Sequence, residues 1–162
     1  MNIEHASEHD LAEIVAIYND AIATSTAVFS DQPVTIERQR EWLALRGERG
    51  YPVLVAREQG ALAAFASYGD FRPWPGYRFT VEHSVYVTAA MRRRGIARRL
   101  VSELIASARE DGKHAMIAGI DADNDASLRL HSGLGFEQVG RLSEVARKFD
   151  RWLDLVFMEL QL

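Results

Sequence analysis

Cysteine is absent from the 162 residues. That excludes disulfides, thiolate metal ligands and any mechanism that parks an acyl group on a cysteine. Long apolar runs are absent too. The longest, Ala61 to Ala66, falls far short of the roughly 20 residues that a helical membrane span requires. The opening Met-Asn-Ile-Glu-His has neither a basic nor an apolar signal region, so no secretory leader and no membrane attachment are expected, and the expected compartment is the cytoplasm. Excess positive charge is lacking as well: the formal charge is −4. A dedicated nucleic-acid partner is therefore not expected, because phosphate contacts dominate that affinity and call for a basic face.

What is present is an ordinary globular composition, 48% hydrophobic and 26% charged, with the length of one domain spanning residues 1–162. Leu11, Ile14, Val15, Tyr18 and Ile22 form one stripe of an amphipathic helix. A Thr/Ser-rich loop follows, then a second helix from Thr35 to about Arg49. Pro52 to Glu58 and Ala61 to Tyr68 are apolar runs separated by Gln59-Gly60, which is hairpin spacing. Tyr77 to Val87 reads as a long strand with Glu82, Ser84 and Tyr86 on the face opposite His83 if the pleat is regular. Gly95 opens a strongly periodic helix that Gly112 stops. Ala115 to Ile120, Phe136 to Val145 and the apolar tail read as strands, the last covered on both sides, with a short helix at Asp125 to Leu134. The order predicts an α/β fold: a mixed sheet with helices on both faces.

The strongest local feature lies between the long strand and the periodic helix. Met91 to Val101 holds five arginines and no carboxylate. The first N–H groups of a helix lack intrahelical partners and attract anions, and Gly95 and Ala97 leave a phosphate room to approach the backbone. A solvated turn is the plain alternative. Other phosphate loops fit worse: Gly-x-x-x-x-Gly-Lys-Ser/Thr is absent, and Gly133-Leu134-Gly135 is followed by Gln138 where a third glycine would stand. His5 and His9 lack metal-ligand spacing, and no metal is assigned.

Arg92-x-x-Gly95-x-Ala97 after a strand resembles the acyl-CoA pyrophosphate loop of the GNAT superfamily of N-acetyltransferases. Around it, Glu82-His83-Ser84-Val85-Tyr86-Val87 and Asn124-x-x-Ser127-x-x-Leu130-His131-x-x-Leu134-Gly135-Phe136 are similar to the subfamily that acetylates phosphinothricin, methionine sulfoximine and methionine sulfone. So are Thr24-Ser25-Thr26 with Phe29, Arg72-Pro73-Trp74 with Tyr77-Arg78, and Lys148-Phe149-x-Arg151-Trp152-x-Asp154.

The resemblance implies a mostly antiparallel sheet with splayed central strands, acetyl-CoA as cosubstrate, and a homodimer. It implies a diphosphate at Arg92, Arg93, Arg94, Gly95, Ile96, Ala97 and Arg98, and a pantetheine arm along Val85, Tyr86 and Val87, with Asn124 and Ser127 opposite. Acetyl transfer to a mostly protonated amine needs a base. Glu82 is the candidate, the plain alternative being an ion pair with Arg72 or Arg78. His131 takes the subfamily's place for a polar group facing sulfur, or else is structural. For the amino-acid acceptor the candidates are Arg72 for the carboxylate, with Arg78 as rival, and Phe29, Pro73, Trp74, Tyr77, His83 and Ser84 for the side chain. The Trp-Pro loop serves otherwise in packing or an interface. Acetylation of protein amino termini or polyamines, and a non-catalytic acyl-CoA-binding module, are the competing functions.

Overall fold

The computed structural model describes residues 1–162. The chain runs β1 (Asn2–His5), α1 (Leu11–Thr24), α2 (Ile36–Glu48), β2 (Val53–Glu58), β3 (Ala61–Asp70), β4 (Thr80–Val87), α3 (Ile96–Glu110), β5 (Ala115–Asp121), α4 (Asp125–Ser132), β6 (Glu137–Lys148) and β7 (Arg151–Gln161). The order matches the one expected from sequence. No helix is long and apolar enough to cross a membrane.

Local chemistry explains the element boundaries. Thr35 accepts the Arg38 N–H at 3.2 Å and caps α2. Gln59 and Gly60 take φ of 53° and 86°, the left-handed pair that a two-residue hairpin between right-twisted strands demands. The strand expected from Tyr77 starts only at Thr80, because Pro75 opens a single 3-10 turn, Pro75–Tyr77, that carries the chain away from the sheet. Residues Val81, His83, Val85 and Val87 then share one face without a bulge, since the β3–β4 register is unbroken from Asp70↔Val81 to Ala64↔Val87.

The seven strands lie in the order β1-β2-β3-β4-β5-β7-β6. On one face α3 buries Ile96, Leu100, Val101, Leu104, Ile105 and Ala108 against Ala64, Ala66, Tyr68, Val81, Met116 and Ala118, forming the main core. Ile14, Ile17, Val55, Leu62 and Phe65, with Tyr18, Trp42 and Tyr86 packed against them, fill the other side under α1 and α2. The last strand was expected to be covered on both sides. Val156 and Met158 are buried, whereas Leu155 on the other face is only half-buried because it opens onto a cavity.

Only β4 and β5 run parallel. Their ladder holds from Thr80↔Ala115 to Glu82↔Ile117 and then stops, although β4 continues to Val87 and β5 to Asp121. Past Glu82 the two central strands diverge. Backbone groups that a continuous ladder would have consumed are left facing a gap.

Candidate active site

Three adjoining cavities occupy this gap and its two mouths. The largest, about 790 Å³, runs from Val85, Tyr86 and Val87 to the start of α3 and across to Asn124 and Ser127. At the α3 start Gly95 takes φ 76°, a left-handed turn that suits glycine, and a β-carbon there would meet nothing within 4 Å. The first turn of α3 carries no acidic residue and Gly95 supplies no side-chain cap. Its N–H groups are therefore free to meet an anion.

The arginines divide. Arg92, Arg93 and Arg98 line the cleft beside Gly95, Ile96 and Ala97. Arg98 also donates from Nη2 to the Gly133 carbonyl at 2.8 Å, tying α3 to the end of α4. Arg94, expected among the phosphate ligands, instead donates to Glu58 Oε2 at 3.2 Å. The cause is local: Arg93 takes φ 64°, which reverses the chain and sends the next side chain toward the β2–β3 hairpin.

Across the gap Asn124 is the N-cap of α4, its Oδ1 accepting the Ser127 N–H at 3.1 Å. Its amide nitrogen remains for a ligand. The turn role and the cavity role are thus compatible.

The narrowest volume, about 110 Å³, lies between the diverging strands and is lined by His83, Val85, Gly119, Asn124, Ser127 and His131 among others. His83 and His131 stack here, ring centroids 5.0 Å apart, with their Nε2 atoms at 3.0 Å. Carbonyl oxygens only accept, so His131 Nδ1, 2.7 Å from the Ser127 carbonyl, must carry its proton. In the neutral ring Nε2 then accepts, and His83 Nε2–H donates to it. His83 Nδ1 is left as a bare lone pair, which agrees with its being buried without a partner. Burial, followed by the neighbouring His131, pushes His83 down to about 3, and burial also lowers His131. The pair is neutral and its hydrogens are spoken for. His131 therefore presents no proton to the gap, contrary to the expectation that it faces sulfur as an acid. The His83 side chain, expected among acceptor contacts, lies on the opposite face of β4 from Glu82 and packs on Phe136, as the regular pleat requires, although the residue also lines the cavity that holds Glu82.

The third cavity, about 360 Å³, opens on the α1/α2 side and is lined by Val28, Phe29, Arg46, Asp70, Glu82, Ser84, Gly119, Asp121 and Leu155, among others. Glu82 is half-buried there. Desolvation raises its pKa above the ordinary carboxylate value, opposed by the charge of Arg72. The Arg72 guanidinium itself is exposed, lies 4.1 Å from the Phe71 ring centroid and donates to the Phe71 carbonyl at 2.7 Å. Pro73, Trp74 and Tyr77 lie with it outside the cavity, Trp74 being 69% exposed. The same 3-10 turn that delays β4 holds them there. Arg78 donates to the Pro75 carbonyl at 3.1 Å and is outside too.

Asp121 and Arg46 were not singled out from sequence, and Lys148 only within the Lys148-Phe149-x-Arg151-Trp152-x-Asp154 resemblance, without a role. Asp121, 4% exposed at the end of β5, lines all three cavities and accepts a hydrogen bond from Thr26. Lys148, 5% exposed, donates Nζ to the carbonyls of Ser25 at 2.7 Å and Val28 at 2.8 Å, pinning a loop that lines all three cavities. Arg46 reaches this third cavity from α2. A carboxylate closing a buried strand was the available signal for Asp121. Nothing local marks Arg46, and the resemblance marks the position of Lys148 but not its role, because both act on segments remote in the chain.

A family model described as "Acetyltransferase (GNAT) family" matches residues 14–136. An L-methionine sulfoximine/L-methionine sulfone acetyltransferase of Salmonella typhimurium is 47% identical over 162 residues, covering 100% of this chain and 95% of the relative. A ribosomal-protein-alanine N-acetyltransferase from Brucella melitensis superposes with a TM-score of 0.98 at 48% identity, covering both chains in full (100% and 100%). A GNAT superfamily phosphinothricin acetyltransferase from Sinorhizobium meliloti, crystallised with acetyl-CoA, superposes at 0.97 with 33% identity, covering 99% of this chain and 88% of that one.

Proposed function

The chain belongs to the acetyltransferase (GNAT) family, and from that premise we propose that it moves acetyl from acetyl-CoA to the α-amine of a small amino acid. The acceptor class is methionine sulfone, methionine sulfoximine or phosphinothricin, and the attack is direct, with no acyl-enzyme. One observation carries this reading: the parting of β4 from β5 beyond Glu82↔Ile117 joins an uncapped, arginine-flanked helix start to a cavity walled by the half-buried Glu82 carboxylate.

The residues fit the coenzyme. Amides of Gly95, Ile96 and Ala97 would hold the diphosphate, with Arg92, Arg93 and Arg98 neutralising its charge. The freed edge of β4 at Val85 to Val87 and the Asn124 amide would hold the pantetheine arm. Acetyl-CoA supplies an activated acyl thioester. Glu82, made more basic by burial, takes the proton from the attacking amine, directly or through one water. Backbone N–H groups of Val85 to Val87 are suited to stabilise the oxygen that gains charge. With His131 committed to Ser127 and His83, the departing thiolate, whose simple-thiol pKa is about 8.5, takes its proton from solvent at neutral pH. The two histidines hold α4 against β4.

A second copy of the chain is the partner this reading expects. Val139, Leu142, Val145 and Trp152, 45–57% exposed on the β6–β7 hairpin, offer it an apolar surface. The Brucella protein's name supports a second reading, a protein amino terminus as acceptor. The test is thiol release from acetyl-CoA with methionine sulfone, methionine sulfoximine, phosphinothricin, polyamines and an alanine-terminated peptide. Turnover with the amino acids is expected. Turnover with peptide or polyamine alone overturns the acceptor assignment, and no turnover with intact coenzyme binding would make the chain a binding module.

A further inference from the structure

Arg46 is a charge without a partner. Its Nε is buried with no hydrogen bond, and burial lowers its pKa against the raising influence of Asp70. Asp70 is already engaged, accepting from Arg49 and from the Tyr51 hydroxyl. What holds Arg46 is aromatic: its guanidinium carbon lies 5.5 Å from the Trp42 ring centroid and 6.0 Å from that of Tyr51. Such stacking satisfies the faces of the guanidinium and leaves its in-plane N–H donors unused. A half-buried cation with idle donors is costly unless an anion arrives to use them.

The surroundings state where that anion would sit. The Arg46 guanidinium lies over Gly69, in the space that a β-carbon would fill. Gly69 is directly opposite Glu82 in the β3–β4 ladder, so the two positions share one face about 5 Å apart. Glu82 leans the other way, its Oε1 3.0 Å from where a β-carbon on Gly119 of β5 would be. Two glycines on the strands flanking β4 thus let a cation lie flat on one side of the cavity and a carboxylate on the other.

An α-amino acid is itself such a dipole, with its amine and carboxylate on one carbon. We infer that Arg46 binds the α-carboxylate of the acceptor while Glu82 faces its amine, making Arg46 the residue that selects free amino acids over amines lacking that group. The inference rests on the acceptor cavity and the base proposed above. It also moves the carboxylate contact from Arg72, which is exposed and does not line the cavity, to a guanidinium that does.

The experiment compares kcat/KM for L-methionine sulfone with that for its α-carboxamide, in the unaltered enzyme and in Arg46→Met, Arg46→Lys and Gly69→Ala. The carboxamide keeps the amine and side chain but loses the charge. Loss of a charge-assisted pair is expected to lower the acid-to-amide ratio by about 10- to 100-fold in Arg46→Met, through KM for the acceptor, with partial retention in Arg46→Lys. Gly69→Ala keeps the charge but crowds the guanidinium, and lowers the same ratio with the fold intact, so the inference remains testable if Arg46→Met folds poorly. An unchanged ratio, or equal losses on both acceptors, overturns the role of Arg46 while leaving the proposed function standing. Absence of turnover by the unaltered enzyme with any α-amino acid overturns both.

Discussion

Gly119→Ala adds one methyl group to the wall against which Glu82 rests. The new carbon would stand 3.0 Å from Glu82 Oε1 and 3.4 Å from Leu155 Cδ1, and only the first of these is closer than ordinary contact. The carboxylate must therefore retreat by a few tenths of an ångström. Stability should hardly notice, since the group that moves is the end of a flexible side chain, and glycine within a strand is about 0.5–1 kcal/mol worse than alanine. Catalysis should notice more. A reacting group displaced by about 1 Å can cost on the order of 100-fold, so this smaller shift is expected to lower kcat by about 3- to 30-fold. Thiol release gives kcat, calorimetric melting gives stability, and Gly140→Ala, where a β-carbon meets nothing within 4 Å, is the control. A Gly119→Ala enzyme with normal kcat and normal melting would refute the placement of the base against β5. A large fall in melting temperature would refute the reading of the contact as a soft one.

Glu82→Gln should abolish most turnover while preserving coenzyme affinity. Because burial raises the Glu82 pKa in the folded state, its charge costs stability above that pKa and the cost vanishes as pH falls below the unfolded carboxylate value. The glutamine variant should accordingly melt higher than the native chain at pH 7 and alike near pH 4, and a lower melting temperature at pH 7 would contradict this. His131→Leu strands the His83 N–H and the Ser127 carbonyl, and is expected to cost about 2–3 kcal/mol in denaturant unfolding, with kcat of the folded fraction reduced less than tenfold. A loss of a hundredfold at unchanged stability would restore His131 as the acid facing sulfur. Lys148→Met removes two hydrogen bonds from a buried ammonium to the Ser25–Val28 loop, costing about 1–3 kcal/mol and raising acceptor KM several-fold. An unchanged KM would show that the loop holds its place without Lys148.

The parts legible in the sequence are those that a short window can specify. The α3 stripe and its Gly95 start, the Gln59-Gly60 hairpin, and the alternation setting Glu82 against His83 all depend on neighbours within a few residues. The same alternation puts the His83 and Glu82 side chains on opposite faces of β4, although the resemblance implies both as acceptor contacts and both residues line the third cavity. The arginine run was visible as charge, but its partition was not. Arg94 turns to Glu58 because of a left-handed residue before it, a backbone choice that composition does not announce. The Trp74 loop looked like a pocket wall for its stiffness, yet stiffness carried it outward along the Pro75 turn. Least legible were Arg46, Lys148 and Asp121, whose roles exist only once α2, the β6–β7 hairpin and β5 have converged on the gap.

The most direct measurement is the location of coenzyme A in a crystal of its complex with this chain. Density for the diphosphate on the amides of Gly95, Ile96 and Ala97, with the pantetheine passing between Val85–Val87 and Asn124 so that its sulfur enters the gap beside Glu82, is the result the account predicts. A coenzyme bound elsewhere, with the space between β4 and β5 holding only water, would contradict it.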